Sequence, residues 1–134
     1  MSNVIVKKFV TSVGRGRGKV DIVKFTWPRE AIVGEETPCE LTIGVFNESV
    51  RNIRVHFYNS ETSPGKVTIY VPSNENWQDV KPGEKQLIWW TEPGEEIPPN
   101  SKYLIINKVI FHKAGKHSGE IEIHWESGKL KISF

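Results

Sequence analysis

The sequence predicts an all-β chain, folded as an antiparallel two-sheet sandwich of about nine strands. Three observations carry that prediction. Apolar residues recur with period two in almost every apolar segment. No window of helical length sustains apolar residues at i, i+3, i+4 and i+7. Proline and glycine, 8 and 11 of the 134 residues, interrupt the chain at short intervals, as turns between strands require. A small closed barrel is the alternative all-β arrangement.

The first expected strand covers residues 4–11 and leads to the loop Gly14-Arg15-Gly16-Arg17-Gly18-Lys19. The second, 20–27, stops at Pro28, which donates no ladder hydrogen bond. In the third, 38–46, Cys39, Leu41, Ile43 and Val45 share one face and Glu40 and Thr42 the other. One side is therefore expected in the core and one in water. The fourth, 52–58, turns Ile53, Val55 and Phe57 inward and Arg54, His56 and Tyr58 outward. The fifth, 66–71, aligns Val67, Ile69 and Val71. Residues 73–79 read as a polar loop containing Trp77, followed by the turn Lys81-Pro82-Gly83-Glu84. Residues 86–91 form the next strand, and a proline-rich loop, 92–100, follows it. Strands at 103–112, 120–126 and 130–134 complete the chain, with a hairpin loop expected between the first two of these. For the final hairpin, Ser127-Gly128 reads as a two-residue turn that sets Trp125 opposite Leu130, Ile123 opposite Ile132 and Ile121 opposite Phe134.

One domain spanning 1–134 is expected, since this length buries a sizeable core without staples. A net charge of +2 argues against a partner chosen by bulk charge, whether nucleic acid or an anionic membrane. Cys39 is the single cysteine, so no intrachain disulfide is possible. No apolar run reaches the roughly 20 residues of a membrane helix, and no membrane association is expected. Lys7 and Lys8 interrupt the N-terminal apolar stretch, unlike a secretory signal, and a cytoplasmic location is the expectation.

Val20-Asp21-Ile22-Val23, Ile32-Val33-Gly34-Glu35, Leu41-Thr42-Ile43-Gly44-Val45-Phe46-Asn47 and Val80-Lys81-Pro82-Gly83-Glu84 lie within residues 20–91. Together these segments resemble immunoglobulin-like sandwiches of the fibronectin-type and cell-adhesion-related kind. The resemblance implies an immunoglobulin-like fold and a binding or scaffolding module rather than an enzyme. Fold alone does not fix function.

Catalytic signatures are missing. There is no nucleophile elbow, no phosphate-cradling loop and no HExxH helix. Cys39 lies on an apolar face, where a thiol packs as a small hydrophobe. His112 and His117 flank a short loop that brings their rings within reach of each other, but Lys113 and Lys116 oppose a cation there. No metal and no cofactor are expected. Two features favour binding instead. Arg15, Arg17 and Lys19 alternate with glycines, which lets backbone and guanidinium approach a phosphate. Adjacent Trp89 and Trp90 must point to opposite faces of a strand, so one needs cover from outside the core; Trp77 is a second candidate for exposure. These features predict a non-enzymatic module that binds protein, as a homo-oligomer or an assembly component, through Trp90, Trp77 and the 14–19 loop. A nucleic-acid-binding protein using that loop is the runner-up, and a carbohydrate-binding module using exposed tryptophan the third reading.

Overall fold

In the computed structural model, residues 3–5, 13–14 and 17–134 are described. They form β1 (Asn3–Ile5), β2 (Val13–Gly14), β3 (Lys19–Pro28), β4 (Thr37–Phe46), β5 (Arg54–Asn59), β6 (Val67–Val71), β7 (Asn76–Val80), β8 (Lys85–Trp90), β9 (Lys102–Phe111), β10 (Gly119–Trp125) and β11 (Gly128–Ser133). One 3-10 turn, Pro72–Asn74, separates β6 from β7. Two antiparallel sheets result, ordered β1-β3-β4-β9-β6-β7 and β2-β11-β10-β5-β8. Nine of the strands have five or more residues; β1 and β2 are short additions at the sheet edges. The chain is the expected all-β, two-sheet sandwich.

The period-two pattern builds the core directly. Cys39, Leu41, Ile43 and Val45 of β4 are buried, and Val55 and Phe57 of β5, with Ile53 just before it, meet them from the other sheet. Each such side chain contributes about 1.5–3 kcal/mol by leaving water. Trp27, Phe57, Phe111 and Phe134 form an aromatic cluster at one end, with Trp27 4.3 Å from Phe134 and 5.6 Å from Phe111 between ring centres. The buried Asn59 side chain ties β5 to the opposite sheet. Its Nδ2 donates to the carbonyls of Gly65 at 3.1 Å and Val80 at 3.0 Å, while its backbone bonds Gly83 and Glu84 of the Lys81-Pro82-Gly83-Glu84 turn. Gly83 has φ +80°, the left-handed geometry that a turn glycine supplies.

Four sequence expectations need correction or restriction. Residues 76–80 are strand β7, so Trp77 sits on a sheet rather than in a loop. Its alternation was hidden because Asn76 and Gln78, which share the face of Val80, are polar; as an edge strand, β7 buries only Val80. The segment after β9 is not a hairpin loop, because β9 and β10 belong to different sheets. In the last hairpin Ile121 pairs with Ile132, Ile123 with Leu130 and Trp125 with Gly128, two residues from the expected register. Glu126 and Ser127 make the turn, and Gly128 enters the strand to pair with Gly14 of β2. Phe134 instead pairs with Gly119 through two backbone hydrogen bonds, and its ring lies over the glycine where a side chain would stand. Finally, of the strand expected at 4–11, Asn3–Ile5 pairs with β3, while residues 6–12 fall outside the described residues.

Candidate interaction surface

β8 is the edge of the five-stranded sheet. A bulge interrupts its pairing with β5, so Val55 faces Trp89 but the next residue, His56, faces Leu87. Ile88 is the extra residue. The bulge resets the alternation, and Ile88 and Trp89 both turn into the core while Leu87 and Trp90 both stand on the outer face. Trp89 is 7% exposed and Trp90 53%, the division expected for the pair. Leu87, at 39%, joins Trp90 in an exposed apolar pair.

A groove of about 410 Å³ runs beside them, lined by Asn52, Arg54, Leu87, Trp90, Pro93 and Trp125 among others. Its walls are held in place. Asn52 adopts φ 57°, and its Oδ1 accepts from the backbone of Gly94 at 3.0 Å, which fixes the loop bearing Pro93. The Thr91 hydroxyl accepts from the backbone N–H of Ile53 at 3.1 Å. Trp125 is buried, and its indole Nε1 has no hydrogen-bond partner.

A charged cluster borders the groove on the same outer face. Glu122 accepts from Lys85 at 2.7 Å and lies 2.5 Å from His124 Nε2. Burial alone would raise the Glu122 carboxyl, but the hydrogen bonds from Lys85 and His124 overcome it and bring the group down to about 2. The His56 ring stands edge-on to His124, with centres 5.5 Å apart. Burial first, then Lys85 and His124, hold His56 below the usual histidine range.

The edge is poorly suited to pairing with an incoming strand. The bulge breaks its ladder, and the Gln78 side chain of β7 already donates to the Ile88 carbonyl at 3.3 Å. What this edge presents to its surroundings is side chains rather than free backbone.

The five sequence-predicted residues separate. Trp90 lies at the groove. Arg17 and Lys19 are exposed on the chain entering β3, and Arg15 falls outside the described residues. Gly18 between them is buried, and a Cβ there would stand 2.6 Å from the Ser49 carbonyl oxygen. That contact, β2 beside β11, and the Glu126 N–H bonded to the Arg51 carbonyl at 2.9 Å put Arg17 and Lys19 at the groove's end of the sandwich. Trp77 is on the outer face of the opposite sheet, 4.9 Å from the Tyr70 ring, with Lys108 over that ring at 5.1 Å. It does not share a surface with Trp90. Leu87 and Trp125 escaped the sequence reading. Strict alternation places Leu87 with Trp89, and nothing local signals the bulge.

The remaining candidates have ordinary partners. His112 Nε2 meets the Thr68 hydroxyl at 2.7 Å, and His117 Nε2 donates to the Lys113 carbonyl at 2.8 Å, so the two rings engage different neighbours. No group of three potential metal ligands occurs among the described residues. Burial, then Glu40, push the Cys39 thiol up to about 12, and it packs in the core as a neutral group. No helix among the described residues is long and apolar enough to cross a membrane.

No family model matches the chain, and no curated protein or solved structure matches it.

Proposed function

We propose that the chain is a non-enzymatic protein-interaction module that self-associates through the Trp90 groove. The carrying observation is the exposed Leu87–Trp90 pair beside a preformed groove on a strand edge already blunted against β-pairing. A projecting indole next to a cavity is self-complementary. A two-fold arrangement sets each Trp90 into its partner's groove, so both copies use one patch. Exposed aromatic and aliphatic groups clustered beside a pocket are the usual anchors of such contacts, and the charged rim of Arg54, Lys85 and Glu122 supplies register. The strand order supports the immunoglobulin-like resemblance: β3-β4-β9-β6 facing β11-β10-β5 follows the ABED and GFC order of constant-type domains, with β8 added beside β5.

Light scattering across a concentration series tests this. The wild-type chain is expected to move from 15.3 kDa toward twice that mass, with a Kd on the order of 10 µM, as suits a small interface. Leu87→Ser combined with Trp90→Ser is expected to remain monomeric with its melting temperature little changed. A wild-type chain that stays monomeric throughout overturns self-association.

A further inference from the structure

A second cavity, of about 380 Å³, lies at the other conspicuous feature of the sandwich, the aromatic cluster. Its floor is made by the rings of Trp27, Phe111 and Phe134, set edge to face and tilted against one another. Its rim comes from two loops far apart in sequence. The segment after β3 contributes Arg29, Ala31 and Val33, and the passage from β9 to β10 contributes Lys113, Lys116 and His117. A hydrogen bond from the Gly34 N–H to the Phe111 carbonyl at 2.8 Å ties the first loop to the end of β9.

The side-chain charge of this rim has one sign. Three permanent cations line the cavity, and no aspartate or glutamate does among the described residues. None of the three forms an ion pair among those residues; the ion pairs present lie elsewhere on the two sheets. Nearby cations without counter-charges repel each other, and the arrangement is favourable when an anion enters. His117 adds a polar group. Its Nε2 is committed to the Lys113 carbonyl and its ring packs on Phe111 at 4.8 Å, which leaves Nδ1 buried with no partner. Such an atom is uncommon in a folded protein; with the proton on Nε2 it is an acceptor, which an N–H or O–H on the body of a bound ligand can satisfy.

We infer that this cavity is a binding site for a small amphipathic anion: an aromatic body on the Trp27–Phe111–Phe134 floor and a carboxylate or sulfonate at the cationic rim. The volume falls in the roughly 300–1,000 Å³ range of small-molecule sites, where a mostly apolar lining holds the body and a few polar groups set orientation. Flat rings suit a floor of edge-to-face aromatics, and arginine pairs with a carboxylate or sulfonate through two parallel hydrogen bonds. The site is independent of the Trp90 groove, with which it shares no residue.

The test uses two fluorescent probes, anilinonaphthalenesulfonate and its uncharged relative phenylnaphthylamine, titrated against the folded chain. The sulfonate is expected to bind with one-to-one stoichiometry and about tenfold more tightly than the neutral amine, as charge-assisted hydrogen bonds imply. Arg29→Gln with Lys116→Gln is expected to abolish that preference and leave the neutral probe's affinity unchanged. Ala114→Trp, which fills the cavity from its rim, is expected to remove binding of both probes. Leu87→Ser with Trp90→Ser is expected to alter neither. Equal affinity of the two probes for the wild-type chain, or sulfonate binding that survives the charge-removing pair, overturns the proposal. Should Ala114→Trp not fold, the two-probe comparison on the charge variant decides alone.

Discussion

Replacing Gly119 by alanine isolates the contact that sets the C-terminal register. Gly119 has no unusual backbone angle, so an alanine costs nothing in φ or ψ there. The cost is spatial. A Cβ at this position overlaps the carbonyl oxygen of Tyr58 on β5 and stands 2.7 Å from Cζ of Phe134. The phenyl ring can rotate away, but the carbonyl belongs to the β5–β10 ladder and cannot move without opening it. Overpacking typically costs about 1–3 kcal/mol, and a backbone obstacle puts this site at the top of that range. With about 2.1 cal/mol/K of unfolding entropy per residue, the 134-residue chain has roughly 0.28 kcal/mol/K in all. A loss of about 3 kcal/mol then lowers the melting temperature by about 11 °C. Scanning calorimetry on Gly119→Ala measures it, with Gly65→Ala as the comparison, since the nearest atoms to a Cβ there belong to the flexible Lys113 side chain, at 3.1 Å. Adding Phe134→Leu to Gly119→Ala is expected not to restore stability, because the Tyr58 carbonyl remains. A Gly119→Ala protein that melts with the wild type, or full rescue by Phe134→Leu, refutes the reasoning.

Other outcomes follow from the same packing. Trp89→Ala is expected to cost about 3–5 kcal/mol in guanidinium unfolding, whereas Trp90→Ala costs little stability and lowers self-association; similar losses for both would show that Trp90 is core. Glu122 is held at about 2 in the folded chain against an ordinary 4.5. Its contribution is therefore present above the unfolded value and disappears as pH falls from about 4.5 toward 2. Glu122→Gln should flatten that part of the stability curve, and parallel acid limbs for the two proteins would count against the Lys85–Glu122–His124 cluster. The Cys39 thiol, buried and pushed up to about 12, should react with a disulfide reagent under mildly alkaline conditions only as fast as the chain opens; prompt labelling of folded protein would contradict its burial. Arg15→Gln with Arg17→Gln should leave oligomeric state unchanged, and fluorescence anisotropy should find no oligonucleotide binding tighter than about 10⁻⁴–10⁻⁶ M near physiological salt.

The layers of the fold were legible because burial and alternation coincide in the long strands. Every inward residue read from β4, Cys39 through Val45, is in the core. Legibility failed where a distant partner decides the local outcome. β7 reads as loop because Asn76 and Gln78 are polar, and the Gln78 amide reaches partners that no local pattern shows, the Ile88 carbonyl and the Gln86 side chain of the other sheet. The last hairpin reads as a Ser-Gly turn because glycine favours turns, yet the bare surface of Gly119 and the ring of Phe134 select a pairing two residues away. Trp90 was legible as the outward tryptophan of a strand pair. Its neighbour Leu87 was not, because the bulge at Ile88 shifts the phase of β8 without a glycine or proline to announce it. The cationic cavity draws on two loops and the C-terminal residue, and no local pattern joins them.

The strand order also bears on how the chain must be made. β9 (Lys102–Phe111) lies between β4 and β6, and β10 (Gly119–Trp125) lies between β5 and β11. Synthesis from the N-terminus therefore delivers β3–β4 and β6–β7 as separate hairpins, each with an open edge, before the strand that joins them exists. A nascent chain halted before residue 102 can hold three separate strand pairs, β3–β4, β6–β7 and β5–β8, with neither sheet continuous, the condition in which unpaired edges seek other chains. The ribosome must finish most of this molecule before any part of it can be safe from its neighbours.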